Sequence, residues 1–171
     1  QNGKVVFKHE LYRRIIEESL TPLKRIELNK KMLNLFLDSF IEKGEIERIL
    51  HYAKNANERE LVVKYAQLSA IKASAMGAHK ESSKLWATAI DYFDGNDLSQ
   101  LAGFYYAYAQ ECYLCNEVKN AIIYTEKALT YWKEKADLIK AVQCLCFLSH
   151  LYWFEGKGEI AENYAMQAVD M

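Results

Sequence analysis

Cysteine, histidine and carboxylate spacings are where chemistry would first be sought in this chain of 171 residues. Cys112-x-x-Cys115 has the spacing of a redox dithiol or of half a zinc site, and Cys144 and Cys146 could supply the other half. A thioredoxin-like dithiol needs a strand ahead of it, whereas Cys112 sits in a helical pattern. His9, His51, His79 and His150 fall in four separate segments, and none has a metal-like partner four residues on. No serine or cysteine carries a local nucleophile signature. Glu17, Glu18, Glu58 and Glu60 lie on helices rich in basic neighbours and read as solvated, salt-bridged faces. The phosphate-binding pattern G-x-x-x-x-G-K-[ST] is missing, since Gly3-Lys4 and Gly156-Lys157 have neither the earlier glycine nor the Ser/Thr. These residues point away from an enzyme, and no cofactor or metal is expected.

The elements that position them repeat. Met76 to Ser82, Cys115 to Ala121 and Glu155 to Ala161 align at intervals of 39 and 40 residues. Each copy has a turn residue (Gly77, Asn116, Gly156), a small residue five positions later (Ser82, Ala121, Ala161) and an alanine seven further on (Ala89, Ala128, Ala168). Small residues at fixed offsets from a turn let antiparallel helices approach closely, as in a helical repeat array. The repeat frame also sets Cys144 and Cys146 about eight residues below Cys112 and Cys115, hence about 12 Å along the helix axis. A tetrahedral zinc site with bonds near 2.3 Å cannot span that gap, so packed free thiols are expected.

Helices are predicted near 9–19, 22–39, 44–56, 58–76, 79–93, 97–115, 117–134, 137–155 and 158–170, with Thr21 capping ahead of Pro22 and Asp97 capping the sixth. Lys4 to Phe7 reads as the remnant of a strand. Period-3.6 stripes assign a core. The first helices give Ala66, Ser69, Ala70 and Ala73; Tyr105, Tyr108, Ala109 and Cys112; and Leu145, Leu148, Ser149 and Tyr152. The second helices give Leu85, Trp86 and Ala89; Tyr124, Ala128 and Leu129; and Tyr164, Ala168 and Val169.

With one proline, seven glycines and 51% apolar residues, the composition is that of an all-helical domain. The formal charge of -1 gives no footprint for nucleic acid, and the seven basic residues against four acidic ones between Lys8 and Lys31 read as a solvated surface. No secretory signal and no membrane-length apolar run is seen, so a cytoplasmic location and no membrane partner are expected. A start at Gln1 and a stop at Met171 inside an apolar-periodic helix suggest a segment of a longer protein.

The small-residue spacing resembles the tetratricopeptide repeat, with a longer period than the usual 34. Over nearly the whole chain, Phe7-Lys8-His9-Glu10-Leu11-Tyr12-Arg13-Arg14, Glu18-Ser19-Leu20-Thr21-Pro22-Leu23, Leu50-His51-Tyr52-Ala53, Gly77-Ala78-His79-Lys80-Glu81, Tyr113-Leu114 and Leu151-Tyr152-Trp153-Phe154 are similar to the helical region of large LuxR-type transcriptional regulators with a fused signal-transduction ATPase. The resemblance implies an all-α, right-handed superhelix of tetratricopeptide-like antiparallel pairs over 21–171, preceded at 1–20 by the end of a truncated winged helix. His9 would then be either a reporter of nucleotide state or a helix-start histidine satisfied by backbone.

Twelve Tyr, seven Phe and three Trp exceed what the core stripes require. In tetratricopeptide arrays the first helix of each pair lines the inner surface, so the resemblance places a groove at Gln67 and Ile71, at Tyr106, Gln110 and Tyr113, and at Gln143, His150 and Trp153. Rings beside amides can hold a peptide or a small-molecule effector. The alternative is that Tyr113 and Trp153 pack against neighbouring helices. Without a Lys/Arg cluster, carboxylate-terminated peptides are not the favoured ligand. The implied role is a non-catalytic sensor module that also contacts the ATPase domain of its parent chain and shifts its switch by differential affinity. The competing role is a free-standing scaffold that assembles partner proteins.

Overall fold

A computed structural model describes residues 14, 15, 18–38 and 46–171. The expected strand at Lys4 to Phe7, His9, Glu17 and most of the winged-helix remnant lie outside these residues. The described residues form helices α1 (Pro22–Asp38), α2 (Ile46–Ala56), α3 (Arg59–Ala75), α4 (His79–Tyr92), α5 (Leu98–Leu114), α6 (Val118–Glu134), α7 (Leu138–Phe154) and α8 (Gly158–Val169), and no strand occurs among them. No described helix is long and apolar enough to cross a membrane. Two compact units are present, Gln1–Leu61 and Val62–Met171.

In the first unit, α1 packs on α2. Phe36 stacks on Tyr52 at 5.4 Å with the Arg48 guanidinium 5.7 Å from the Phe36 ring, around buried Leu33, Ile49 and Leu50. Thr21 caps α1 as expected, its hydroxyl accepting from Lys24 N–H at 3.3 Å. The basic excess is partly neutralised in place. Glu27 accepts from Lys24 and Lys31, each at 2.8 Å, and these bonds, Lys24 first, hold its carboxyl near 2. Glu58 likewise pairs with Lys30 at 2.7 Å.

The second unit is metrical. α5, α6 and α7 each have 17 residues, separated by three-residue connections. Each helix with its turn therefore covers 20 residues and each hairpin 40; the 39-residue interval arises because α4 has only 14 residues and a longer connection follows it. Relative to a 34-residue repeat, the 40-residue hairpin adds six residues, nearly one turn for each of its two 17-residue helices. The turns share one geometry. Gly77, Asn116, Ala136 and Gly156 all adopt left-handed φ, at 74°, 62°, 54° and 75°. In each, that residue's N–H bonds the carbonyl three back and the next N–H bonds the one five back, as in Glu117 N–H to Cys112 O at 2.8 Å. This is the Schellman cap, which satisfies the last carbonyls of a helix. First helices α5 and α7 then start on an aspartate: Asp97 accepts from Ser99 and Gln100 N–H, and Asp137 from Lys140 N–H.

The core follows the expected stripes. Ala66, Ser69, Ala70, Trp86, Ala89, Ala109, Cys112, Ala128, Leu129, Leu145 and Leu148 are buried, while Ala73, Leu85, Tyr105, Tyr108, Tyr124, Ser149, Tyr152, Tyr164 and Ala168 are half-buried. Val169 departs from the expectation, at 84% exposed, because no described helix covers the last turn of α8. Close approach shows directly between α3 and α4, where the small Ser82 side chain donates to the Ala70 carbonyl at 2.9 Å. α5 meets α7 through rings, and α6 meets α8 through Glu126 with Tyr164 and Lys133 with Gln167. First helices thus neighbour first helices, and second neighbour second.

Candidate recognition site

The groove residues come from three helices. On α3, Gln67 is half-buried and Ile71 exposed; on α5, Tyr106 and Tyr113 are half-buried and Gln110 exposed; on α7, Gln143, His150 and Trp153 are exposed. The structure joins four of them. Tyr113 hydroxyl and His150 Nε2 share a hydrogen bond of 2.8 Å, and the Tyr113 ring meets Phe147, His150 and Phe154 edge-on at 5.9, 5.1 and 5.8 Å. Tyr106 meets the other side of the cluster through Phe147 at 5.8 Å. Such edge-to-face contacts fix ring orientation beyond simple area burial. Trp153 reaches the cluster through the cleft it shares with His150. Among the described residues no hydrogen bond or ring contact ties Gln67, Ile71, Gln110 or Gln143 to it.

Tyr113 and Trp153 occupy the same place in successive repeats, 40 residues apart, yet their settings differ. Tyr113 is held by rings of α7, whereas Trp153 is 72% exposed. Beside Trp153 an open cleft of about 660 Å³ runs between α7 and α8. Cys146, Ser149, His150 and Trp153 line one wall, and Gly158, Ala161 and Glu162 the other. Gly158 and Ala161 carry too little bulk to fill it, and a Cβ placed on Gly158 would meet nothing within 4 Å.

The other constellations are structural. His79 Nδ1 and Glu111 Oε2 lie 2.9 Å apart, giving the nearly buried Glu111 a partner and pinning the start of α4 to the end of α5. Glu126 accepts from Tyr152 and Tyr164 at 3.3 and 3.4 Å, and those two rings stack at 5.5 Å. The proximity of Glu126 and, above all, burial raise both phenols. Cys112 lies within α5 and Cys115 just past its end; all four thiols are free. Burial pushes Cys112 up to about 11 and Cys144 up to about 12, so neither is a thiolate nucleophile near neutral pH. Among the described residues no three of His, Cys, Asp and Glu could hold a metal ion.

Phe147 and Glu162 carry no expectation in the sequence, and Phe154 enters it only within Leu151-Tyr152-Trp153-Phe154. Phe147, His150 and Phe154 sit at i, i+3 and i+7, a stripe legible on α7. Glu162 is legible only by comparing repeats, because it replaces Ile122, which is buried one repeat earlier. Neither the models of known families nor the curated proteins match this sequence.

Proposed function

We propose that the chain is a non-catalytic recognition module, whose second unit is a tetratricopeptide-like superhelix that engages a peptide or small-molecule effector at the ring cluster and cleft of α7. One observation carries this reading: Tyr113 and His150 share a hydrogen bond within a cluster of rings, beside a cleft lined by the 72%-exposed indole of Trp153. Exposed large rings with an adjoining pocket are typical of binding anchors, and a scaffold of regular helices holds them in place. Within the wider reading, the module is the cytoplasmic sensor of a multidomain ATP-dependent transcriptional regulator. It transmits an effector's preference for one arrangement to an ATPase domain of the same parent chain. Support for that part rests on the sequence words resembling LuxR-type regulators.

Two experiments test these levels separately. A screen of peptides and metabolites, followed through the indole N–H resonances of Trp86, Trp132 and Trp153, should yield ligands that move Trp153 and leave the two buried indoles in place. Ligands that perturb only the buried pair, or turnover of any compound lost on a point substitution, would contradict the recognition reading. For the wider reading, the parent gene should encode a phosphate-binding loop upstream and a helix-turn-helix downstream. A gene with neither leaves the free-standing scaffold.

A further inference from the structure

The joint between α4 and α5 is built differently from the matching joint between α6 and α7. At its start α6 buries Val118, Ala121 and Ile122 in the apolar core, whereas α4 has His79, Ser82 and Ser83 at the same places 39 residues earlier. On the other side of the joint, α7 supplies the fully buried Leu151, and α5 supplies Glu111, 6% exposed, at the position 40 residues earlier. The two serines are satisfied within their own hairpin: Ser82 donates to the Ala70 carbonyl of α3 at 2.9 Å, and Ser83 to the Lys80 carbonyl at 3.0 Å. His79 crosses to α5, its Nδ1 lying 2.9 Å from Glu111 Oε2.

The far end of the same joint is apolar. Phe104 of α5 meets Trp86 at 5.6 Å and, edge-on, Phe93 at 5.8 Å. Beyond these rings the chain has slack: α4 stops at Tyr92, and residues 93–97 lead to Leu98, five where every other connection from α3 onward has three. The helix ends on Phe93 in an extended conformation, φ -68° and ψ 120°, in place of the left-handed residue that closes α3, α5, α6 and α7. Rings at one end and a polar pair at the other respond differently to separation. Parting the rings exposes apolar area to water. Parting His79 from Glu111 returns both groups to water, which recovers the desolvation their burial cost and offsets much of the lost attraction. Val118 and Leu151 have no such compensation.

We propose that the α4–α5 joint is a latched hinge: the α3–α4 hairpin swings away from α5 about the rings of Trp86, Phe93 and Phe104 when the contact between His79 and Glu111 breaks. The five-residue connection has the length to follow that motion, and the bond from Ser82 to Ala70 keeps α3 and α4 together through it. The α6–α7 joint, sealed by Val118 and Leu151, stays shut. Such an element supplies the two discrete states that a population shift requires, set by one local contact. The hinge needs no ligand and is independent of the recognition reading.

The test is native-state hydrogen exchange of the whole chain, followed amide by amide at one pH over a range of low urea concentrations. The central amides of α4 should exchange at least about tenfold faster than those of α6, through an opening whose urea dependence is weaker than that of global unfolding. Glu111→Gln keeps the shape of the pair while removing its charge, and should speed α4 about tenfold further. Unchanged α6 and α7 in that variant show that the fold survives. The double variant His79→Val/Glu111→Leu carries the residues of the next joint and should slow α4 to the rate of α6. Exchange of α4 and α6 through one shared opening in the natural sequence would overturn the hinge. A double variant whose α4 still exchanges as fast as before, or a Glu111→Gln variant that speeds every helix alike, would overturn the latch.

Discussion

The α5–α6 and α7–α8 hairpins share helix starts, turn geometry and core positions, but they use their outward residues differently. In the first, Tyr106, Tyr113 and Ile122 are spent on packing; in the second, the matching Cys146, Trp153 and Glu162 are left around a cleft. Part of the contrast is position in the array, because α7 follows the first hairpin and brings Phe147, His150 and Phe154 onto Tyr106 and Tyr113, whereas no described helix follows α8. The positions that do not vary are those that let helices touch: Ala121 and Ala161 are both buried.

The largest expected effect probes how sharply buried and exposed sites are separated within α7. Cys144 and Cys146 are two residues apart, one buried with its thiol pushed up to about 12 and the other exposed. Labelling with a thiol-disulfide reagent at pH 8 should modify Cys146 orders of magnitude faster than Cys144 or Cys112. The sign follows from burial, which disfavours the thiolate, so raising pH should accelerate the buried pair only when the chain unfolds. Comparable rates for Cys144 and Cys146 would mean that α7 is not packed as described.

Next comes the second-helix position shared by Leu129, 7% exposed, and Val169, 84% exposed. Leu129→Ala should cost about 2 to 5 kcal/mol of unfolding free energy, and Val169→Ala no more than about 0.5 kcal/mol. The smallest pair concerns the turns. Gly156→Ala forces a Cβ into left-handed φ with no steric neighbour to relieve, and should cost about 1 kcal/mol. Ala136→Gly removes that strain at φ 54° and should stabilise by about 0.5 to 1 kcal/mol. Opposite signs in thermal unfolding would establish that the two turns are one structure made from different residues; a destabilised Ala136→Gly would break the equivalence.

Much of the fold is legible in the sequence because helix boundaries are marked chemically. Gly77, Asn116 and Gly156 tolerate left-handed backbone, Asp97 caps, and the apolar period runs unbroken between them. Ala136 hides the remaining turn of the same series, since alanine is the last residue whose type would announce a turn; its position is legible only from the 20-residue metre of its neighbours. The site is less legible. Tyr113 and Trp153 look alike as sequence, and only the rings of Phe147 and Phe154 decide that one is packed. Gln67, Ile71, Gln110 and Gln143 belong to a groove only through the tetratricopeptide resemblance, which places them on the inner helix of each pair and does not report whether side chains converge. Cys146, Ser149 and Glu162 line the cleft through a packing between two helices that no single helix's periodicity encodes.

The most direct test of the contrast between repeats is the unfolding free energy of Tyr113→Ala beside that of Trp153→Ala, measured by urea titration under one set of conditions. Tyr113→Ala removes three ring contacts and the hydrogen bond to His150, and should cost about 2 kcal/mol. Trp153→Ala should change stability by no more than about 0.5 kcal/mol. Equal losses at the two positions would contradict the account, for they would place Trp153 in the packing and leave the cleft without its recognition residue.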